Sequence, residues 1–186
     1  MAVKSSNLQG LLSRLGRSST PEVKNSPFGI TLGSITNINE LSPGDVLLIS
    51  THATITELSD PHKYAFGVPG ILIEQAQDHR FKYLIIDSEA FDQGPWLGSD
   101  NGGNKHLADE IFTAGGVMRK RGAIVFFIPR HQEQKANNGP EIPRIMSTCT
   151  VDLSDIPELD LEEQAPQTQL FNDWTEIARK RDSDGN

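Results

Sequence analysis

The chain has 186 residues with a formal net charge of −8 and a single cysteine, which is enough length for one ordinary domain that buries its core without metal or disulfide help. The charge argues against nucleic-acid binding, which needs concentrated Lys and Arg to displace counterions. Lone Cys149 excludes an intramolecular disulfide and any zinc site with two thiolates, and no run approaches the roughly 20 apolar residues that span a bilayer.

Residues 1–27 read as a basic amino-terminal arm and linker. Lys4, Arg14, Arg17 and Lys24 face Glu22 alone over the first 31 residues. Leu8, Leu11, Leu12 and Leu15 fall at i, i+3, i+4 and i+7, one face of a short helix. Gly10 and Gly16 weaken it, and so short a helix needs a surface to lie on. That surface is a protein partner, an anionic membrane or the body of the domain itself. The stretch is too short to be a secretory signal, so the chain reads as cytoplasmic, with the arm offering a peripheral membrane contact.

Residues 28–151 carry the body. Three apolar runs, "DVLLIS" (45–50), "YLIID" (83–87) and "AIVFFIP" (123–129), are apolar on both faces, as in strands of a parallel sheet covered by helices. Between them lie two candidate helices. The first is "PGILIEQAQDHR", with Pro69 suited to its first turn. The second spans 104–121, with a stripe of Leu107, Ile111, Ala114 and Met118, three basic residues at its end, Gly122 beyond it, and a soft spot at Gly115-Gly116. The β-α-β-α-β order predicts an α/β, Rossmann-like, doubly wound and mostly parallel sheet with flanking helices and extended tails. "GITLGSIT" (29–36) and "RIMSTCTV" (144–151) are candidates for further strands. An acidic strap follows at 152–169; its residues 152–166 hold six acids and no base. Residues 170–186 form a closing helix and tail, with Leu170, Trp174 and Ile177 facing inward.

In such a sheet, ligands bind beyond the carboxyl ends of the strands. The first run delivers Ser50, Thr51 and His52 there, the second Asp87, Ser88 and Glu89, the third Arg130 and His131. Trp96 follows a Gly-Pro turn, either as a stacking face for a ligand or, more simply, as an anchor for the loop. These residues are the candidate ligand-binding set. The glycine-rich loop "GSDNGGNK" (98–105) could offer backbone N–H groups to a phosphate, yet it lacks the P-loop pattern, and Asp100 opposes an anion. A serine hydrolase lacks its G-x-S-x-G elbow. Histidines 52, 62, 79, 106 and 131 show no ligand spacing, so neither metal nor cofactor is expected.

The segment "YLIIDSEAFDQGPWLGSDNGGNKHLADEIFTAGGVMRKRGAIVFFIPRH" (83–131) resembles the amino-terminal Rossmann-like half of bacterial two-domain GT-B-type glycosyltransferases. There too a strand ends in an acid, a loop like "GPW.G" follows, then a helix with arginines and a strand. The resemblance implies a fold relative, or a lone acceptor-side domain without complete catalytic machinery, because the nucleotide-sugar in that family is held mainly by the other half. Two functions compete on this reading. One is a domain that binds a sugar, a nucleotide-sugar or another polar molecule at its strand ends. The other is a non-catalytic adaptor that docks through the leucine-lined arm and the acidic strap.

Overall fold

The computed structural model describes residues 44–58, 60, 63–131, 138–154 and 168–183. The leucine-lined arm, the candidate strand at 29–36 and most of the acidic strap lie outside these. Five strands form one sheet: β1 (Val46–Ile49), β2 (Tyr64–Phe66), β3 (Tyr83–Asp87), β4 (Ile124–Ile128) and β5 (Val151–Asp152). Every pairing is parallel, in the order β2-β1-β3-β4-β5. The doubly wound Rossmann-like expectation therefore holds. The order reverses direction between β1 and β3, which makes their carboxyl ends the switch point of the sheet.

Helices cover both faces because the strands are apolar on both. Odd and even strand positions serve different cores, since successive side chains point to opposite faces. Leu47, Ile49, Leu84, Ile86, Val125 and Phe127 pack under α2 (Leu72–Gln77), α3 (Lys105–Lys120) and α4 (Ile142–Met146). Val46, Leu48, Ile85, Phe126 and Ile128 pack under Ile55 of α1 (His52–Glu57) and under α5 (Gln169–Ser183).

The central helix α3 matches its sequence pattern, and Gly122 takes φ 80° just past it. Its glycine pair corrects the soft-spot reading, because α3 runs unbroken through both. Gly115 is where α4's trailing turn approaches: a Cβ built there would lie 2.3 Å from Thr148 Oγ1 and 2.9 Å from Thr148 Cβ. Gly115→Ala should therefore cost about 1–3 kcal/mol by overpacking despite its better helix propensity, with Thr148→Ala recovering part of the loss in urea denaturation. A stabilised Gly115→Ala protein would contradict this packing.

Two expected elements differ. Pro69 does not begin a helix: α2 starts at Leu72, after Gly70 at φ 89°. The Glu110 carboxylate on α3 accepts from the N–H groups of Gly70 and Leu72, both at 2.9 Å, so the start of α2 is set by a neighbouring helix. "RIMSTCTV" is not a strand along its length. Its first part closes α4, and only Val151–Asp152 pairs with β4, because Pro143 sits in the first turn of a helix whose Ile142 and Ile145 reach the core.

The closing helix is present, with Leu170, Trp174 and Ile177 buried as expected. Its direction is unusual for this architecture. In a right-handed crossover the first turn of a helix lies at the carboxyl ends of the strands. Here the last turn lies there: Arg181 contacts Asp87, the final residue of β3, and the carbonyl of Pro129 just past β4. Trp174, two turns earlier, stands edge-on to Tyr64 at the start of β2.

Candidate functional site at the strand ends

β3 ends in Asp87, whose side chain is 0 % exposed. An isolated carboxylate there would be very costly, so its acceptor capacity must be filled. Ser50 Oγ, from the end of β1, donates to its Oδ2 at 2.5 Å, and the N–H of Glu89 donates to Oδ1 at 3.1 Å. The remaining partner is Arg181. Its guanidinium meets Asp87 in a fork, Nη1 to Oδ1 at 2.7 Å and Nη2 to Oδ2 at 3.1 Å. The same two nitrogens donate to the Pro129 carbonyl, Thr54 Oγ1 and Glu89 Oε2, each at 3.0 Å. One arginine thus ties β3, β4, α1 and α5 together at the switch point.

Asp87 and Glu89 share this single arginine. Glu89 is less buried, and burial raises its pKa, with Arg181 pulling it down and Asp87 pushing it up. Its Oε1 faces His131 Nε2 at 3.0 Å, and the His131 side chain is 39 % exposed. The Glu89–His131 pair is therefore where this network reaches solvent. Both residues leave the ends of adjacent central strands, so their meeting follows from the register Asp87↔Ile128.

The other candidates take different parts. Arg130 is buried and bonds Asp92 through Nε at 2.7 Å and Nη2 at 2.9 Å. Its Nη1 reaches Asp100 Oδ2 at 2.8 Å and Asn138 Oδ1 at 3.1 Å. It is a clamp between loops and presents no free fork to a ligand. Ser88 is buried and donates to the Ile128 carbonyl. With Ser50 donating to Asp87, both hydroxyls are used within the strand ends rather than paired with a histidine. His52 lies at the exposed start of α1, beside Thr51, whose side chain caps that helix.

Trp96 is corrected outright as a stacking face. It is 1 % exposed, and its indole N–H donates to the Gly67 carbonyl at 3.0 Å. The Gly-Pro-Trp turn pins the loop after β3 to the loop after β2. The carboxylates of "YLIIDSEAFDQGPW" divide accordingly: Asp87 is a buried brace, Asp92 a half-exposed arginine partner, and Glu89 a half-buried group that links Arg181 to His131.

The glycine-rich loop is also occupied from within. Asn101 Oδ1 accepts from the Gly103 N–H, and Asp100 Oδ2 accepts from the Gly139 N–H. No arrangement of three or more His, Cys, Asp or Glu able to hold a metal occurs among the described residues, and none of the described helices is long and apolar enough to cross a membrane. Burial pushes the Cys149 thiol up to about 12, so it is no ready nucleophile.

Sequence reasoning assembled Asp87, Glu89 and His131 correctly at one edge but missed Arg181, the centre of the network. One signal existed: Leu170, Trp174, Ile177 and Arg181 follow each other at steps of four, three and four, so Arg181 continues the buried stripe of α5. Comparison with known proteins adds no relative: no family model, curated protein or solved structure matches the chain.

Proposed function

We propose that this domain binds a polar small molecule or glycan against the Glu89–His131 pair, as a Rossmann-like unit related to the acceptor side of sugar-transfer enzymes. The observation that carries the reading is the pair itself. A carboxyl group with raised proton affinity faces an imidazole at 3.0 Å, at the open end of the two central strands. Perturbed titrating groups at such a position mark ligand sites in doubly wound folds. The "SEAFDQGPW" segment supports the sugar-transfer relation through its resemblance to glycosyltransferase amino-terminal halves.

Glu89 is held at Oε2 by Arg181 and its buried Oε1 faces His131, so the part-exposed imidazole is the group that meets a ligand hydroxyl, with Glu89 behind it. A carboxylate and a histidine together can accept and return a proton from such a hydroxyl. Four carboxylates (Asp87, Glu89, Asp92 and Asp100) meet two arginines at this rim. That balance favours hydroxyl or cationic groups over phosphate at the pair itself.

A thermal-shift screen of free sugars, nucleotide-sugars and phosphates tests the reading. A bound sugar at 100 times its Kd should stabilise the native state by about 2.7 kcal/mol, and Glu89→Gln and His131→Ala should each abolish the shift. A second reading, a non-catalytic interaction module, is favoured by the strand ends themselves, where Arg181 and Trp96 bond to the chain's own atoms. If no sugar shifts the melting of the wild-type protein, that second reading replaces the first.

The pH dependence of stability has a definite sign. The Glu89 pKa is raised above 4.5 by burial, so the native state holds this proton to higher pH than the unfolded chain. As pH rises from 4.5 through the folded pKa, the unfolded state loses its proton first and stability falls. Above the folded pKa the contribution is constant. Glu89→Gln should remove this part of the slope in urea midpoints measured across that window; an unchanged slope would assign the titration to another group.

A further inference from the structure

At the opposite edge of the sheet, where β3 and β4 begin, lies a cavity of ≈ 270 Å³. Its charged lining is cationic, Lys82 and Arg121, with His79 beside them. Phe81, Tyr83 and Ile124 give it an apolar wall. Arg121 is the informative residue. Its Nη1 donates to the Asp78 carbonyl at 2.6 Å and its Nη2 to the Phe81 carbonyl at 2.7 Å, which holds the carboxyl end of α2. Its Nε is buried and finds no acceptor, and no carboxylate pairs with its charge, among the described residues. Its Nη2 also contacts Met118 Sδ at 2.8 Å, and a part-buried cation that meets only such neutral acceptors retains most of its field.

The other lining charges do not neutralise it. Lys82 stands 3.7 Å from Asp45 with its side chain 70 % exposed, a loose surface pair of small energy. His79 is exposed. On a chain of net charge −8 this is a local reversal of sign, and a concave site of one sign concentrates counter-ions of the other.

We propose that this cavity binds a small organic anion, with its phosphate or carboxylate group on Arg121 and Lys82 and its apolar body against Phe81, Tyr83 and Ile124. The size suits a ring-sized molecule rather than a nucleotide, since drug-sized ligands occupy pockets of roughly 300–1,000 Å³. The site is separate from the Glu89–His131 rim, across the full length of β3, and does not depend on what binds there.

Titration of the full-length, isotope-labelled protein with phenyl phosphate, benzoate and inorganic phosphate tests the assignment by amide chemical shifts. Saturable shifts are expected at Lys82, Tyr83, Gly122 and Ala123. Phenyl phosphate should bind more tightly than inorganic phosphate because only it meets the apolar wall. If benzoate matches phenyl phosphate, the site reads a single negative charge; if it binds far more weakly, the site prefers the dianion. Lys82→Glu, a change at an exposed side chain that leaves the fold intact, should weaken phenyl phosphate about tenfold or more. Arg121→Lys keeps the charge and should retain binding, whereas Arg121→Gln should lose it. Absence of saturable shifts at these amides with millimolar phenyl phosphate overturns the proposal. So does binding that Lys82→Glu leaves unchanged.

Discussion

Arg181→Ala should be among the most damaging single changes in this protein, lowering stability by roughly 3–5 kcal/mol. The reason is not the loss of a favourable contact alone. Asp87 is fully buried, and without the guanidinium it keeps, among the described residues, the Ser50 hydroxyl and the Glu89 N–H as partners. The uncompensated carboxylate then carries the cost of its own desolvation. For a chain of this length each kcal/mol moves the melting temperature by about 2–4 °C, so the variant should melt roughly 10 °C lower. Arg181→Lys should recover little, because an ammonium group cannot reproduce the fork onto Asp87 while also reaching Pro129 and Thr54. Asp87→Asn combined with Arg181→Met removes both buried charges. The pair of changes should cost less than the sum of the two alone, with a coupling of about 1–3 kcal/mol. Strict additivity in that double-mutant cycle would mean that the contact is energetically idle, and the brace would be discarded.

Trp174→Ala should cost about 3–5 kcal/mol for a different reason, the cavity it leaves. Trp174 is fully buried and meets Tyr64 edge-on with ring centroids 6.2 Å apart. It sits among Leu170, Phe171, Ile177 and Ala178, the side chains with which α5 covers the face of the sheet that it shares with α1. An opening under α5 also loosens the helix that delivers Arg181, so the two changes should not be independent. Urea unfolding of Trp174→Ala, Arg181→Ala and the combination measures this. The combined loss should fall short of the sum, because a helix already displaced no longer holds the guanidinium on Asp87. Trp174→Phe, which keeps an aromatic ring against Tyr64, should retain most of the stability. A loss below about 1 kcal/mol in Trp174→Ala, the size of an ordinary surface change, would mean that α5 is not a structural cover.

The shared dependence on α5 bears on the two functional readings. The Glu89–His131 pair needs Asp87 and Arg181 behind it, because Arg181 Nη2 fixes Glu89 Oε2. Ligand binding at the rim should therefore weaken in Arg181→Lys even where the fold survives. An interaction module would show no such link between the buried brace and a sugar.

The order of apolar runs, their spacing and the stripe on α3 determined the parallel sheet and its long central helix from sequence alone, because periodicity and burial on both faces are local properties of the chain. The same logic placed Ser50, Asp87, Glu89, Arg130 and His131 at one edge, since parallel strands put all their carboxyl ends on one side. What those residues do there was decided by tertiary structure. Arg130 read as a ligand group, and Trp96 as a stacking face or a loop anchor, until loops distant in sequence closed over them and supplied the Gly67 carbonyl, Asp92 and Asp100. The start of α2 was set by Glu110, 38 residues beyond Leu72, and Gly115 was a site of close approach by Thr148 rather than a weakness. Arg181 lies 94 residues from Asp87. The apolar stripe marks Arg181 as the cation of "RKR" that turns inward, but not the carboxylate it meets, because that follows from the direction in which α5 crosses the sheet, and the burial of Phe171 and Trp174 against β4 and β2 sets that direction.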